Sequence, residues 1–298
     1  MAATVEPVDP LSGGTRLRRR RVVDQIMLRT ATAAAFLAVA LLAVIVYTVV
    51  QHGAGIISIS FLTKDQAVGL AAVGGGIANA LIGSALLVAV ATAIALPLGV
   101  LIALYLTEYA SPRTTRPVRL ALDMLNGMPS IVIGVFVFEL VVVSHGESGL
   151  AGSIALAVIM LPLLARTTGE MLVLVPRELR DAAHALGVSR WRTIVGIVLP
   201  GALGGILTGA VLAIARAAGE TAPLLLTTSL FNPSLTSFNF FGQAMPNIPI
   251  DIFNYSESGF PADHARAWGA ALVLMTLILV GNLTARALLA RQRKRMSR

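Results

Sequence analysis

Arg180–Pro200, RDAAHALGVSRWRTIVGIVLP, is the most polar stretch between two long apolar runs, and its polarity is patterned. Just upstream, Pro176 suits the first turn of a helix, where its missing N–H costs nothing. Leu179, Ala182, Ala183 and Leu186 fall at i, i+3, i+4 and i+7 on one face, with Glu178, Arg180, Asp181 and His184 elsewhere. Gly187 suits the stop of that helix and Ser189 the N-cap of the next. The spacing predicts a short amphipathic helix, a sharp turn and the beginning of an apolar span. A loop that only joins two spans has no use for an apolar face, so the pattern predicts that something docks there.

The composition around this stretch sets the class. Of 298 residues, 56% are hydrophobic and 13% charged, with a mean hydropathy of +0.81. A soluble domain carries about 25% charged residues. Several runs of about 20 apolar residues give an all-α, polytopic membrane protein. No cysteine is present, so disulfides and thiolate chemistry are excluded. The net charge of +8 invites a nucleic-acid reading, which fails because the basic residues sit at span ends. The partner that composition demands is the lipid bilayer.

About six transmembrane helices are expected. Residues 1–25 read as a disordered basic tail ending in Arg18–Arg21, and 26–51 as the first membrane helix. That run is longer than the about 7–15 residues of a signal-peptide core and has no small-residue cleavage site, so it reads as a retained span. The further spans fall at about Ile77–Leu106, Met124–Val143, Gly149–Val175, Thr193–Leu226 and Trp268–Leu289, with a basic tail over 290–298. Glu108–Asp123 reads as a polar loop, Gly127-Met128-Pro129-Ser130 as a helix break, and Pro97 as a kink. The arginines choose the orientation. With both termini inside, the inner segments hold Arg16, Arg18–Arg21, Arg29, Arg113, Arg116, Arg119, Arg177, Arg180, Arg190, Arg192 and the cluster from Arg286 onward, and the outer loops hold only Lys64 and Arg266. The docking loop is therefore cytoplasmic.

Charges inside the spans need a reason. Arg216 and Glu220 are spaced i, i+4 within the fifth span, where an arginine costs about 2.5–3.5 kcal/mol on insertion scales. They can lock the bundle as a pair, or form an anion site in which a guanidinium grips a tetrahedral oxyanion by its fork and Glu220 limits the hold. Gly219 between them offers a close approach to another helix. Arg166 and Glu170 repeat the spacing near the inner end of the fourth span; a snorkelling arginine is ordinary there, and the pair is also a candidate part of the substrate pathway. Glu139 has no basic neighbour in sequence and receives no role. The two lysines, Lys64 and Lys294, stand in no G-x-x-x-x-G-K-[ST] motif, and the four histidines show no metal-ligand spacing. The chain is read as a non-enzyme that binds no cofactor and no metal.

Asp181-Ala182-Ala183, then Gly187, then Ile197-x-Leu199-Pro200 resembles the EAA loop of ABC-importer permeases, with Asp181 in place of the usual Glu. Over residues 74–289 the chain resembles the PstA family, permease subunits of the high-affinity phosphate ABC importer. The stretches that carry this are Gly75-Gly76-Ile77-x-Asn79-Ala80-Leu81-Ile82-Gly83, Pro129–Gly134, Leu161-Pro162 through Arg166-Thr167-Thr168, Ala213–Leu225, and Gln243-Ala244-Met245 through Tyr255. Gly169 departs from the family, which commonly has an acidic residue there. The resemblance implies a type I ABC importer permease (MetI-like) fold, with a core permease domain over 74–289 and a coupling loop over 176–192 that meets the ATPase. It implies a PstC-type permease as heterodimer partner, a dimeric PstB-type ATPase carrying ATP and Mg, and an extracytoplasmic phosphate-binding protein. It also implies that Arg216 and Glu220 line the substrate pathway. Two other readings stay open: a permease for phosphonate, sulfate or molybdate, and a stand-alone secondary transporter.

Overall fold

The computed structural model describes residues 14–66, 75–229 and 239–296, with side chains over 18–66, 75–229 and 239–287. Every regular element among them is helical. The chain forms two units, residues 1–51 and 52–298. The first is occupied by α1 (Gly14–Gly53), whose apolar run is exposed almost throughout. Because α1 begins at Gly14, Arg18–Arg21 stand on a helix and not in a disordered tail reaching residue 25. Residues 1–13 lie outside the described residues.

The second unit contains α2 (Ile59–Thr63), α3 (Ala78–Leu104), α4 (Pro112–Gly127), α5 (Ser130–Val137), α6 (Val143–His145), α7 (Gly149–Val173), α8 (Arg177–Ala185), α9 (Arg190–Thr193), α10 (Leu199–Ala218), α11 (Ala222–Thr227), α12 (Ile248–Glu257) and α13 (Pro261–Met296). Three π turns, Tyr105–Tyr109, Phe138–Val142 and Ile194–Val198, extend α3, join α5 to α6, and join α9 to α10. Five described helices are long and apolar enough to cross a membrane, or six where the pair 112–127 and 130–145, bent by 101°, is counted as one broken span.

Two boundaries differ from the sequence reading. The segment expected as a polar loop is mostly α4, and the break at Met128-Pro129 bends the chain by 101° before α5. Met128 is extended (φ −73°, ψ 135°), the conformation a following proline favours, and Pro129 offers no N–H to continue the ladder. The fifth span is not one helix to Leu226: α10 stops at Ala218 and α11 begins at Ala222. Pro223 supplies the reason, since its ring would clash with the Gly219 carbonyl of a continuing helix. Pro97, by contrast, is carried inside α3 without ending it.

Small residues set the packing. Leu87, Ala91 and Ala95 of α3 meet Leu156, Ala157, Met160 and Leu164 of α7 and Ala210, Ala213 and Ala217 of α10. Such side chains let helix backbones approach closely where no water drives association. A Cβ on Gly99 would lie 3.2 Å from the Ala165 nitrogen. A second cluster, with Ala103, Leu104, Leu172, Val175, Ile194 and Val198, packs the π-turn ends beside α8. At the opposite end the loops are cross-bonded. The Thr228 hydroxyl accepts the Met245 N–H (2.6 Å) and donates to its carbonyl (3.2 Å), and the Ile248 N–H donates to Ser84 Oγ (2.9 Å).

Candidate functional site

The docking segment folds much as its spacing predicts. Pro176 lies at the N-cap, one residue ahead of the expected first turn. Gly187 has φ +74°, the left-handed conformation that favours glycine. The Val188 N–H reaches the Ala183 carbonyl (3.0 Å) and the Gly187 N–H that of His184 (2.9 Å), the paired bonds of a Schellman stop. Ser189 caps α9 by position, with no side-chain bond. The apolar face divides. Leu179 is 48% and Leu186 83% exposed, and Ala182 is exposed, whereas Ala183 is buried at 4%. Ala183 therefore seats α8 on the body of the protein and cannot belong to an outward docking face. Asp181 is exposed.

Arg180 is the residue sequence reasoning did not single out. Its side chain is 18% exposed and bonds Glu108 at 3.0 Å. No sequence spacing reveals this, because Glu108 lies 72 residues away and the other acceptors are backbone carbonyls.

The two predicted charge pairs both form. Arg216 Nε lies 3.6 Å from Glu220 Oε1, with side chains 45% and 17% exposed. Arg216 stands in the last turn of α10 and Glu220 beyond its end, not mid-way along a continuous helix. A cation there also complements the carbonyl end of the helix. Ala213 and Ala217 carry the buried stripe of α10, so the guanidinium projects beside it, away from the core. At 3.6 Å the contact is an ion pair without a hydrogen bond. Gly219 receives no neighbouring helix, since a Cβ there would meet only the Arg216 carbonyl at 3.7 Å.

Arg166 Nε donates to Glu170 at 3.3 Å, and Arg166 Nη1 lies 3.9 Å from Asp123 of α4. All three side chains are about 60% exposed. With Arg119 and Thr107 they line a cavity of about 500 Å³ between α3, α4 and α7. Glu170 also borders a second cavity of about 320 Å³ against α10 and α13, with Thr167, Thr208 and Arg286. Gly169 faces the first cavity, so this chain presents no carboxylate at that position. Glu139 is exposed in the second π turn and has no ion pair among the described residues. No group of His, Asp or Glu among the described residues could hold a metal ion.

The fold has solved counterparts. The MetNI methionine ABC transporter matches with a TM-score of 0.56 at 19% identity, over 72% of this chain and 94% of that one. A bacterial ABC transporter involved in import of the acidic polysaccharide alginate matches with a TM-score of 0.52 at 15% identity, over 88% and 98%. The architecture is that of a type I ABC importer permease, MetI-like. The family of binding-protein-dependent transport system inner membrane components matches residues 95–297, and the chain belongs to it, among the PstA permeases. The phosphate transport system permease protein PstA of Pasteurella multocida is 40% identical over 91% of this chain and 96% of its own length. PstA 1 of Mycobacterium tuberculosis is 42% identical over 71% and 68%.

Proposed function

We propose that this chain is a membrane subunit of an ATP-driven importer of inorganic phosphate. Arg216 carries the reading. Its guanidinium is half-exposed, has no hydrogen bond among the described residues, and stands in the last turn of α10 beside the Glu220 carboxylate that follows the helix. A charge left on lipid costs about 2.5–3.5 kcal/mol, so this face adjoins a partner subunit or an aqueous path. A free guanidinium fork suits a tetrahedral oxyanion, and Glu220 keeps the grip loose enough for release. Arg166 and Glu170, beside a cavity, extend the pathway. The phosphate assignment comes from the relatives, which are named for phosphate transport.

The partners follow the same reading: a PstC-type permease beside the chain, a dimeric PstB-type ATPase with ATP and Mg inside, and an extracytoplasmic phosphate-binding protein outside. Leu179, Asp181, Ala182 and Leu186 face the ATPase, while Ala183 and Gly187 hold α8 at its angle. The arginine asymmetry sets both termini inside.

The test is phosphate uptake by Arg216→Gln with Glu220→Gln, reconstituted with ATPase and second permease and normalised to assembled complex. The double variant is expected to assemble and to be transport-dead, because charge balance is kept and the anion ligand is gone. Arg216→Lys is expected to be impaired as well, since it keeps the charge and loses the fork. Uptake restored to near wild type in the double variant would reduce Arg216 to a structural partner of Glu220.

A further inference from the structure

We infer that Arg180 is a positioning residue that pins the coupling helix to the ends of α3 and α7, so that a push on α8 moves the helix carrying Arg166. The inference rests on the reading of α8 as the element that meets the ATPase.

A guanidinium has five N–H donors, and those of Arg180 are matched by five acceptor contacts. Nε donates to Glu108 Oε1 (3.3 Å) and Nη2 to the same oxygen (3.0 Å). Nη2 also reaches the Leu172 carbonyl (2.9 Å), and Nη1 the carbonyls of Val175 (2.6 Å) and Pro176 (3.4 Å). The last carbonyls of a helix have no partner of their own, so the C-terminal end of α7 is a ready acceptor for such a cation. Glu108 is 9% exposed and lies in the π turn that ends α3, where the Ala110 N–H bonds the Tyr105 carbonyl (2.8 Å). That slip of one residue changes the side chain's bearing by about 100° from an α-helical continuation.

The two anchored helices move together. Beyond the packing described above, Ser153 Oγ of α7 donates to the Leu87 carbonyl of α3 (3.1 Å). Arg166 lies on α7 about 9 Å of helix from Leu172, at 1.5 Å per residue. On α8 itself, Arg180 and Ala183 turn inward while Leu179, Ala182 and Leu186 stay outward. One face is thus free for the ATPase, and the other is tied to α3 and α7. Lysine cannot replace Arg180, because three donors on one ammonium cannot reach Glu108 and three carbonyls at once.

The experiment uses the transporter assembled with its ATPase and second permease, and reads phosphate imported per ATP hydrolysed. Arg180→Lys is expected to keep the ATPase bound and hydrolysing while the ratio falls about tenfold. Arg180→Met with Glu108→Gln, which leaves no buried charge unpaired, is expected to show the same loss. A wild-type ratio in either variant overturns the inference. So does failure of both to assemble, which would make Arg180 a folding residue only. Leu186→Glu, on the outward face, separates the underlying reading: it should release the ATPase, and normal ATPase binding there would show that α8 does not dock it, whatever Arg180 does.

Discussion

The two ends of the 52–298 unit are held together in opposite ways. The end with α11 and α12 is closed by short bonds between loops: Thr228 with Met245, Ser84 with Ile248, and the Glu147 carboxylate with the Ser229 N–H (2.6 Å). The end with α8 is held by arginines, and between them lie cavities of about 490 and 500 Å³ lined by charges. The loop bonds tie the first end together directly, whereas the second is anchored at Arg180 with room beside the anchor. The first end is built to stay shut and the second to change.

That contrast can be broken at either end. The largest effect is expected at Gly83, where a Cβ would overlap the Pro246 carbonyl with nothing flexible to give way. Overpacking of this kind costs about 1–3 kcal/mol or more. Gly83→Val should lower the amount of folded protein recovered from membranes, and recovery at wild-type level would mean that the loop end is more yielding than its bonds suggest. Gly187→Val should act differently. The space around Gly187 is open, so only the left-handed backbone is strained, by about 1–2 kcal/mol. Protein level should hold while uptake per assembled transporter falls, because α8 is tilted from its seat. Equal uptake at matched levels would remove the coupling role from this turn.

The smallest effect is a pH dependence at the closed end. Burial pushes the Asp251 carboxyl up to about 7, with the Gln66 side chain pulling the other way. Tyr255 is its titratable neighbour, and Tyr255 in turn faces Arg266 and Asp263. The fold therefore favours the proton-bearing acid. That contribution to stability is complete below the ordinary value of 3.8, shrinks as pH rises, and is gone above about 7. Thermal unfolding of the purified protein should show a higher Tm at pH 5 than at pH 8, and Asp251→Asn should flatten the difference. A slope unchanged in that variant would assign the titration elsewhere.

Much of this was legible beforehand. Span number followed from hydropathy, and the Gly187 stop from residue type alone, because a left-handed turn leaves a glycine behind. The break at Met128-Pro129 was marked by its proline. What escaped had no local signal or had one that was misweighed. Arg113, Arg116, Arg119 and Asp123 recur at helical spacing opposite Val118, Leu122 and Leu125, so α4 is readable in the sequence even though its density of charge suggests a loop. Ala183 fell on the expected face and yet is buried, since periodicity groups residues without saying which flank of the group meets the protein. The π turns leave no trace in composition, and the Arg180 site depends on carbonyls that every residue possesses.

The angle between α4 and α5 has one more consequence. A helix turned 101° from the one it feeds cannot share that helix's direction across a bilayer. α4 is 16 residues long, about 24 Å, with Arg113, Arg116 and Arg119 on one side and the half-buried Val118, Leu122 and Leu125 opposite. Arg119 lines the cavity shared with Arg166, so the angle of the bend also fixes how far the arginine edge of α4 stands from α7.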